Sequence, residues 1–267
     1  MNEPVPTRSV RTTRPRRLAT GGVAVDQQHL LRTEREPDSL TTFVPWDEFL
    51  AMECDWEQGE HVTICAPTGW GKTTLGLALL PKREYPLVLG TKPEDETLEA
   101  LKAEGYRVVE KLPLPPPEIY PRVIFWPSID NVKHVPAQKA AMRDALMDVY
   151  HRGGYTVFID ELDYICNFLG LKPLVELLWR QGRSLGVSVV GGTQRPAFIP
   201  LLAYDQATHL FIGRDNDDVN VKRYSRIAGG GKRGKRDVEE AIASLPRHHF
   251  LYLNARGEGE RITTKVT

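Results

Sequence analysis

The sequence holds no run approaching 18 uninterrupted apolar residues and no short apolar core near its start, so it offers neither a membrane-spanning helix nor a secretory leader. It has no net charge either. The 35 Lys and Arg balance the 35 Asp and Glu, which excludes attraction to nucleic acid by the field of the whole molecule and turns attention to local basic patches. Cysteine is scarce: Cys54, Cys65 and Cys166 are odd in number, widely spaced and set in or beside apolar runs. That pattern fits reduced core thiols better than a disulfide framework or a zinc site and favours a soluble, cytoplasmic protein. Two short signatures are also absent, the NKxD base-recognition tetrad and an LSGGQ-type run, and their absence speaks against a switch GTPase and a transporter ATPase.

What is present reads as one large domain with a tail. Residues 1–44 mix Pro4, Pro6, Pro15 and Pro37 with Arg8, Arg11, Arg14, Arg16 and Arg17 and carry little branched or aromatic content. Such a segment cannot bury enough surface to offset its ordering entropy, so a flexible basic arm is expected there. From 45 to 267 short apolar runs alternate with helical segments. His61–Cys65, Leu87–Leu89, Val123–Trp126, Thr156–Ile159, Val187–Val190 and His209–Ile212 read as strands. Thr73–Leu80, Glu94–Glu104, Ala137–His151 and Pro173–Leu185 supply the crossovers that parallel strands need. The expected architecture is a doubly wound, mostly parallel α/β sheet with helices on both faces. Lys111–Pro121, with five prolines, can form neither helix nor interior strand; Gly229–Arg236, GGGKRGKR, reads as cations on flexible backbone; Phe250–Asn254 and Arg261–Val266 read as a closing β-hairpin joined through Gly257 and Gly259.

The chemistry is concentrated at strand ends. Ala66-Pro67-Thr68-Gly69-Trp70-Gly71-Lys72-Thr73-Thr74 follows one strand and opens a helix, the context in which a phosphate-binding loop works: backbone N–H groups curl around phosphate oxygens and the helix turns its positive end to the anion. Lys72 is placed to reach the β and γ phosphates of ATP and Thr73 to give its hydroxyl to Mg²⁺. Ala66 stands where the motif begins with glycine, a change that a negative φ tolerates. Trp70 either stacks on a ligand or packs against a neighbouring turn.

Tyr155–Ile159 is an apolar strand that delivers Asp160 and Glu161 to the ligand-binding edge of the sheet. In these roles Asp160 holds the metal and Glu161 acts as general base on the attacking water. Val187–Gly192 ends in Thr193-Gln194-Arg195-Pro196, where Gln194 has both donor and acceptor for a phosphate and a water. Arg180, Arg183 and Arg195 are candidates for an arginine acting across a subunit boundary.

Arg183–Pro196, the [A/G]xxxxGKT loop, the apolar-DE strand and the Gly90-Thr91-Lys92-Pro93 turn together resemble the FtsK/HerA superfamily of DNA-translocating ATPases over roughly residues 55–215. The resemblance implies a RecA-like P-loop core, a homo-oligomer that is usually a hexameric ring, ATP and Mg²⁺ as cofactors, and double-stranded DNA as the partner. It also implies Gln194 as sensor and Arg183 as the finger. The short chain, without a winged-helix module or membrane spans, is similar to viral genome-packaging and mobile-element members, so the host cytoplasm is the implied setting if it is viral. Two other functions stay open at this point: an ATPase that switches a protein complex without tracking DNA, and a nucleotide kinase, which the absence of a lid-like arginine pattern disfavours.

Overall fold

The structure is a computed structural model that describes residues 41–127, 134–227, 231–255 and 261–266. Its strands are β1 Thr42–Phe43, β2 His61–Cys65, β3 Pro86–Leu89, β4 Arg107–Val109, β5 Val123–Phe125, β6 Thr156–Ile159, β7 Ser188–Thr193, β8 Ala207–Ile212, β9 Phe250–Asn254 and β10 Ile262–Thr264. The α-helices are α1 Trp46–Glu48, α2 Lys72–Leu79, α3 Glu96–Leu101, α4 Val135–Arg152, α5 Lys172–Gln181, α6 Leu202–Asp205, α7 Asp218–Ile227 and α8 Gly231–Ser244. All strands join one sheet in the order β1-β10-β9-β8-β2-β7-β6-β3-β5-β4. From β8 across to β4 the neighbours are parallel, while β9 runs antiparallel to both β8 and β10.

Because successive strand residues point to opposite faces, the buried runs feed two cores. Val157, Ile159 and Val189 join Met142, Leu146 and Val149 of α4, Val175 and Leu178 of α5, and Val238 and Ile242 of α8. Phe158 and Val190, one residue out of phase, join Leu75 and Leu79 of α2 and Leu98 and Leu101 of α3 on the other face. Helices therefore cover both faces, as a doubly wound sheet requires. The α2 helix lies so close to β6 that a Cβ on Gly76 would run into the Phe158 ring. Truncating Phe158, which is 1% exposed, to Ala is expected to cost about 3–5 kcal/mol.

Several elements depart from the reading of the sequence. Thr42–Phe43 pairs parallel with β10, so folded chain is present ahead of residue 45; the rest of the basic arm, Arg8 to Arg17 included, lies outside the described residues. From Gly231 onward the GGGKRGKR run is the start of α8 rather than flexible backbone. Val238, Ala241, Ile242 and Leu245, buried at helical spacing, supply an apolar face whose packing carries the helix upstream into weak helix formers. Gly229, Gly257 and Gly259 lie outside the described residues. The hairpin of β9 and β10 is as expected, and Lys111–Pro121 contains neither helix nor strand. No described helix is long and apolar enough to cross a membrane.

Candidate functional site

The phosphate loop is held at the tip of β2, a strand buried at every position. The N–H of Ala66 donates to the Thr193 carbonyl at 3.2 Å, tying the loop's first residue to the tip of β7. Gly69 and Gly71 then take φ values of +72° and +99°, a left-handed backbone that turns the chain tightly into α2 and that side chains with a Cβ adopt at a cost. Lys72, only 7% exposed, donates from Nζ to the Pro67 carbonyl at 3.1 Å. Burial holds its pKa below the ordinary lysine value, against the opposing pull of Asp160 and Glu161. Trp70 packs rather than projects: its Nε1 donates to the His249 carbonyl at 2.9 Å. A Cβ on Gly213 would meet both the Trp70 ring and the Ala66 methyl, so the tip of β8 clamps the loop from the side.

Opposite the start of α2, β6 delivers its two carboxylates. Thr73 Oγ1 lies 2.9 Å from both carboxylate oxygens of Asp160. Burial raises the Asp160 pKa, while the Thr73 hydrogen bond and the ammonium groups of Lys92 and Lys72 oppose the rise. Glu161 has Oε1 3.7 Å from Lys92 Nζ. At the neighbouring tip, Thr68 Oγ1 donates to Gln194 Oε1 at 2.5 Å, so the TQRP segment touches the phosphate loop directly. Glu161, Thr193, Gln194 and Arg195 line one cavity of about 290 Å³. Gly69 to Thr74 line another of about 440 Å³ with His248, Phe250 and Lys265. A wider cleft of about 850 Å³ carries Glu94, Asp95, Glu96, Glu99 and Glu110 with Lys102, a mostly acidic lining ill suited to a polyphosphate.

Lys72, Thr73, Asp160, Glu161 and Gln194 thus converge, whereas Arg183 and Arg180 do not. Arg183 sits at the opposite edge of the sheet, its backbone carbonyl 2.9 Å from where a Cβ of Gly59 would stand. Arg180 follows Trp179, whose carbonyl is bonded by His61 at the base of β2. Both side chains are exposed, and neither serves its own chain's phosphate loop. Arg195 stays at the site edge, its guanidinium 5.7 Å from the Phe198 ring centroid. Lys92 is the residue whose part at the site the sequence reading missed; its signal was the turn Gly90–Pro93, but its partner lies far along the chain.

Among the described residues no three His, Cys, Asp or Glu side chains cluster as a metal cage. One hydroxyl and one carboxylate, Thr73 and Asp160, nevertheless suit Mg²⁺, which retains waters and takes phosphate oxygens in place of a full protein shell.

A phosphate loop on β2, with the paired carboxylates on β6 and β7 between them in the sheet, defines a RecA-like P-loop fold. Solved structures share it. The genome-packaging NTPase B204 of Sulfolobus turreted icosahedral virus 2, in complex with AMPPCP, aligns with a TM-score of 0.57 at 14% identity, covering 79% of this chain and 100% of that one. The DNA-packaging ATPase B204 of Sulfolobus turreted icosahedral virus gives 0.55 at 15% identity, with 79% and 100% covered. VirB4 of Thermoanaerobacter pseudethanolicus gives 0.51 at 10% identity over 78% of this chain and 89% of that one. These neighbours share the fold that the superfamily resemblance implies, and at such identities the likeness is one of fold alone. No protein-family model and no curated protein matches the chain.

Proposed function

We propose that this chain is an ATP-hydrolysing motor that moves or packages double-stranded DNA, working as a homo-oligomeric ring of six subunits. The observation that carries the ATPase reading is the contact of Thr73 with Asp160, 2.9 Å across the mouth of the phosphate loop, with Lys72 adjacent and Glu161 and Gln194 alongside. The B204 neighbours, described as packaging enzymes and seen with AMPPCP or ATP-gammaS, support nucleotide and DNA as ligands.

In this reading Lys72 leaves the Pro67 carbonyl to take β- and γ-phosphate oxygens, and the N–H groups of Gly69 to Thr73 enclose the phosphates. Thr73 and Asp160 hold Mg²⁺, which when bound neutralises charge on the phosphates. Glu161 accepts the proton of the attacking water. Gln194, already on Thr68, orients that water against the γ-phosphate. Arg183, on the far edge of its own sheet, acts on a neighbouring subunit's site, a contribution of about 10³–10⁵ in rate where such fingers operate. Phosphate contacts to DNA come from the arginines of residues 8–17 and from the cations of α8, where Lys235 and Arg236 lie on ordered helix.

The test is ATP turnover with and without long double-stranded DNA at two salt concentrations. Strong stimulation that collapses at the higher salt is the expected result, because phosphate-driven binding weakens steeply as counterions compete. Robust turnover indifferent to DNA would keep the ATPase and replace the motor by a protein-directed switch.

A further inference from the structure

We propose that Lys92 is a positioning residue for the reaction: its ammonium holds one oxygen of Glu161 so that the other faces the attacking water. The inference rests on Glu161 being the general base. Three observations carry it. First, the contact spans strands: Lys92 follows the tip of β3, Glu161 follows the tip of β6, and β3 and β6 are paired neighbours with Val88 opposite Phe158. Second, the turn bearing Lys92 is fixed by the protein interior. Trp126 Nε1 donates to the Lys92 carbonyl at 2.6 Å, the buried Gln138 donates to the Thr91 carbonyl at 3.2 Å, and a Cβ on Gly90 would stand 2.6 Å from the Trp126 side chain. Third, the ammonium is held from both sides, 3.7 Å from Glu161 Oε1 and 3.6 Å from Asp95 Oδ2. Asp95 is immobilised in turn as the N-cap of α3, accepting from the N–H groups of Thr97 and Leu98.

An isolated surface ion pair of this length contributes little to stability. Its value here is geometric. A carboxylate on a short strand-end loop has rotamers that place its oxygens ångströms apart, and a misplacement of about 1 Å at a reacting group costs on the order of 100-fold in rate. Although burial works against its charge, the surrounding carboxylates of Glu161, Asp160 and Asp95 outweigh it and raise the Lys92 pKa, so the clamp stays charged at neutral pH. Gln138 extends the support: its Oε1 accepts from Tyr164 Oη at 2.6 Å, so a single amide braces both the Lys92 turn and the segment that follows Glu161.

The test compares Lys92→Ala, Lys92→Arg, Glu161→Gln and the double variant Lys92→Ala/Glu161→Gln, each full length, for kcat, for KM and for the affinity of a fluorescent ATP analogue. Lys92→Ala is expected to lower kcat by about 10- to 100-fold with KM and analogue affinity within about threefold. Lys92→Arg should recover most of that loss, and Lys92→Ala should cost almost nothing more once Glu161 is Gln, because a residue acting only through another has no effect when that partner is gone. A lost analogue affinity would make Lys92 a nucleotide ligand and overturn the proposal, as would an equal kcat loss in the Glu161→Gln background or an unchanged kcat. Full turnover by Glu161→Gln alone would sink the base assignment and the proposal together; a slow Glu161→Gln with an indifferent Lys92→Ala would sink only the proposal.

Discussion

The same central strands carry polar groups at both ends, and the two ends treat them in opposite ways. At the N-terminal edge each group is closed off. His61 Nδ1 accepts the Val189 N–H at 3.1 Å and its Nε2 donates to the Trp179 carbonyl at 3.1 Å. His209, fully buried, bonds Tyr252 Oη at 2.7 Å and Glu60 Oε2 at 3.2 Å. Burial pushes both imidazoles down to about 4, so His61, bonded only to backbone groups, is neutral at pH 7. At the C-terminal edge the partners are provisional: Lys72 on a loop carbonyl, Thr73 on Asp160, Thr68 on Gln194. Groups paired for good hold a fold together, and groups paired provisionally with charge in hand are free to exchange those partners for a ligand.

Substitutions that separate rate from stability sharpen this contrast. Lys72→Ala is expected to lower turnover by about 10³-fold, the scale of losing a charged phosphate contact, without lowering the denaturation midpoint, since the buried ammonium is itself held against its preferred state. A fall in midpoint matching the fall in rate would make Lys72 part of the scaffold and erase the distinction. Gln194→Ala should cost a smaller factor, roughly 10- to 100-fold in kcat, with stability kept because Gln194 is exposed. At the other edge the expectation is reversed. His61→Ala strands the Val189 N–H and the Trp179 carbonyl in the interior and should cost about 2–4 kcal/mol, with kcat within twofold at a temperature where the variant is folded.

How much of this was legible from residues follows the same division. The β2 and β6 strands announce themselves because a short apolar run buried on both faces needs no partner to be recognised, and the glycines before Lys72 and the two acids after Ile159 have no cheaper explanation. The phosphate loop, the carboxylates and Gln194 therefore appear together where expected. Short edge strands do not announce themselves: Arg107–Val109 is brief, led by a charged residue and only partly buried, so local pattern cannot separate it from a loop. The α8 helix was hidden by composition, since four glycines and four cations in residues 229–236 outweigh, locally, an apolar face that begins only at Val238. Lys92 was hidden by distance. Its meaning comes from the adjacency of β3 and β6, a sheet order that no local spacing encodes.

The smallest expected effect tests the closed edge through pH. A histidine with its folded pKa depressed contributes stability in full above its ordinary value near 6.5, and that stability is lost as pH falls toward the folded value of about 4, because the unfolded chain takes up a proton that the folded protein refuses. Between pH 7 and pH 6 His61 should surrender roughly 0.7 kcal/mol, and the slope should steepen toward about 1.4 kcal/mol per pH unit below that. His61→Asn isolates the cause, since an amide offers one donor and one acceptor on a similar frame but does not titrate. Denaturant unfolding of this variant between pH 7 and pH 5 should show a shallower slope than the parent, with less than 1.5 kcal/mol lost at pH 7. An unaltered slope would mean that the acid sensitivity of the fold arises elsewhere, and that the His61 imidazole is not the closed, neutral strut its hydrogen bonds describe.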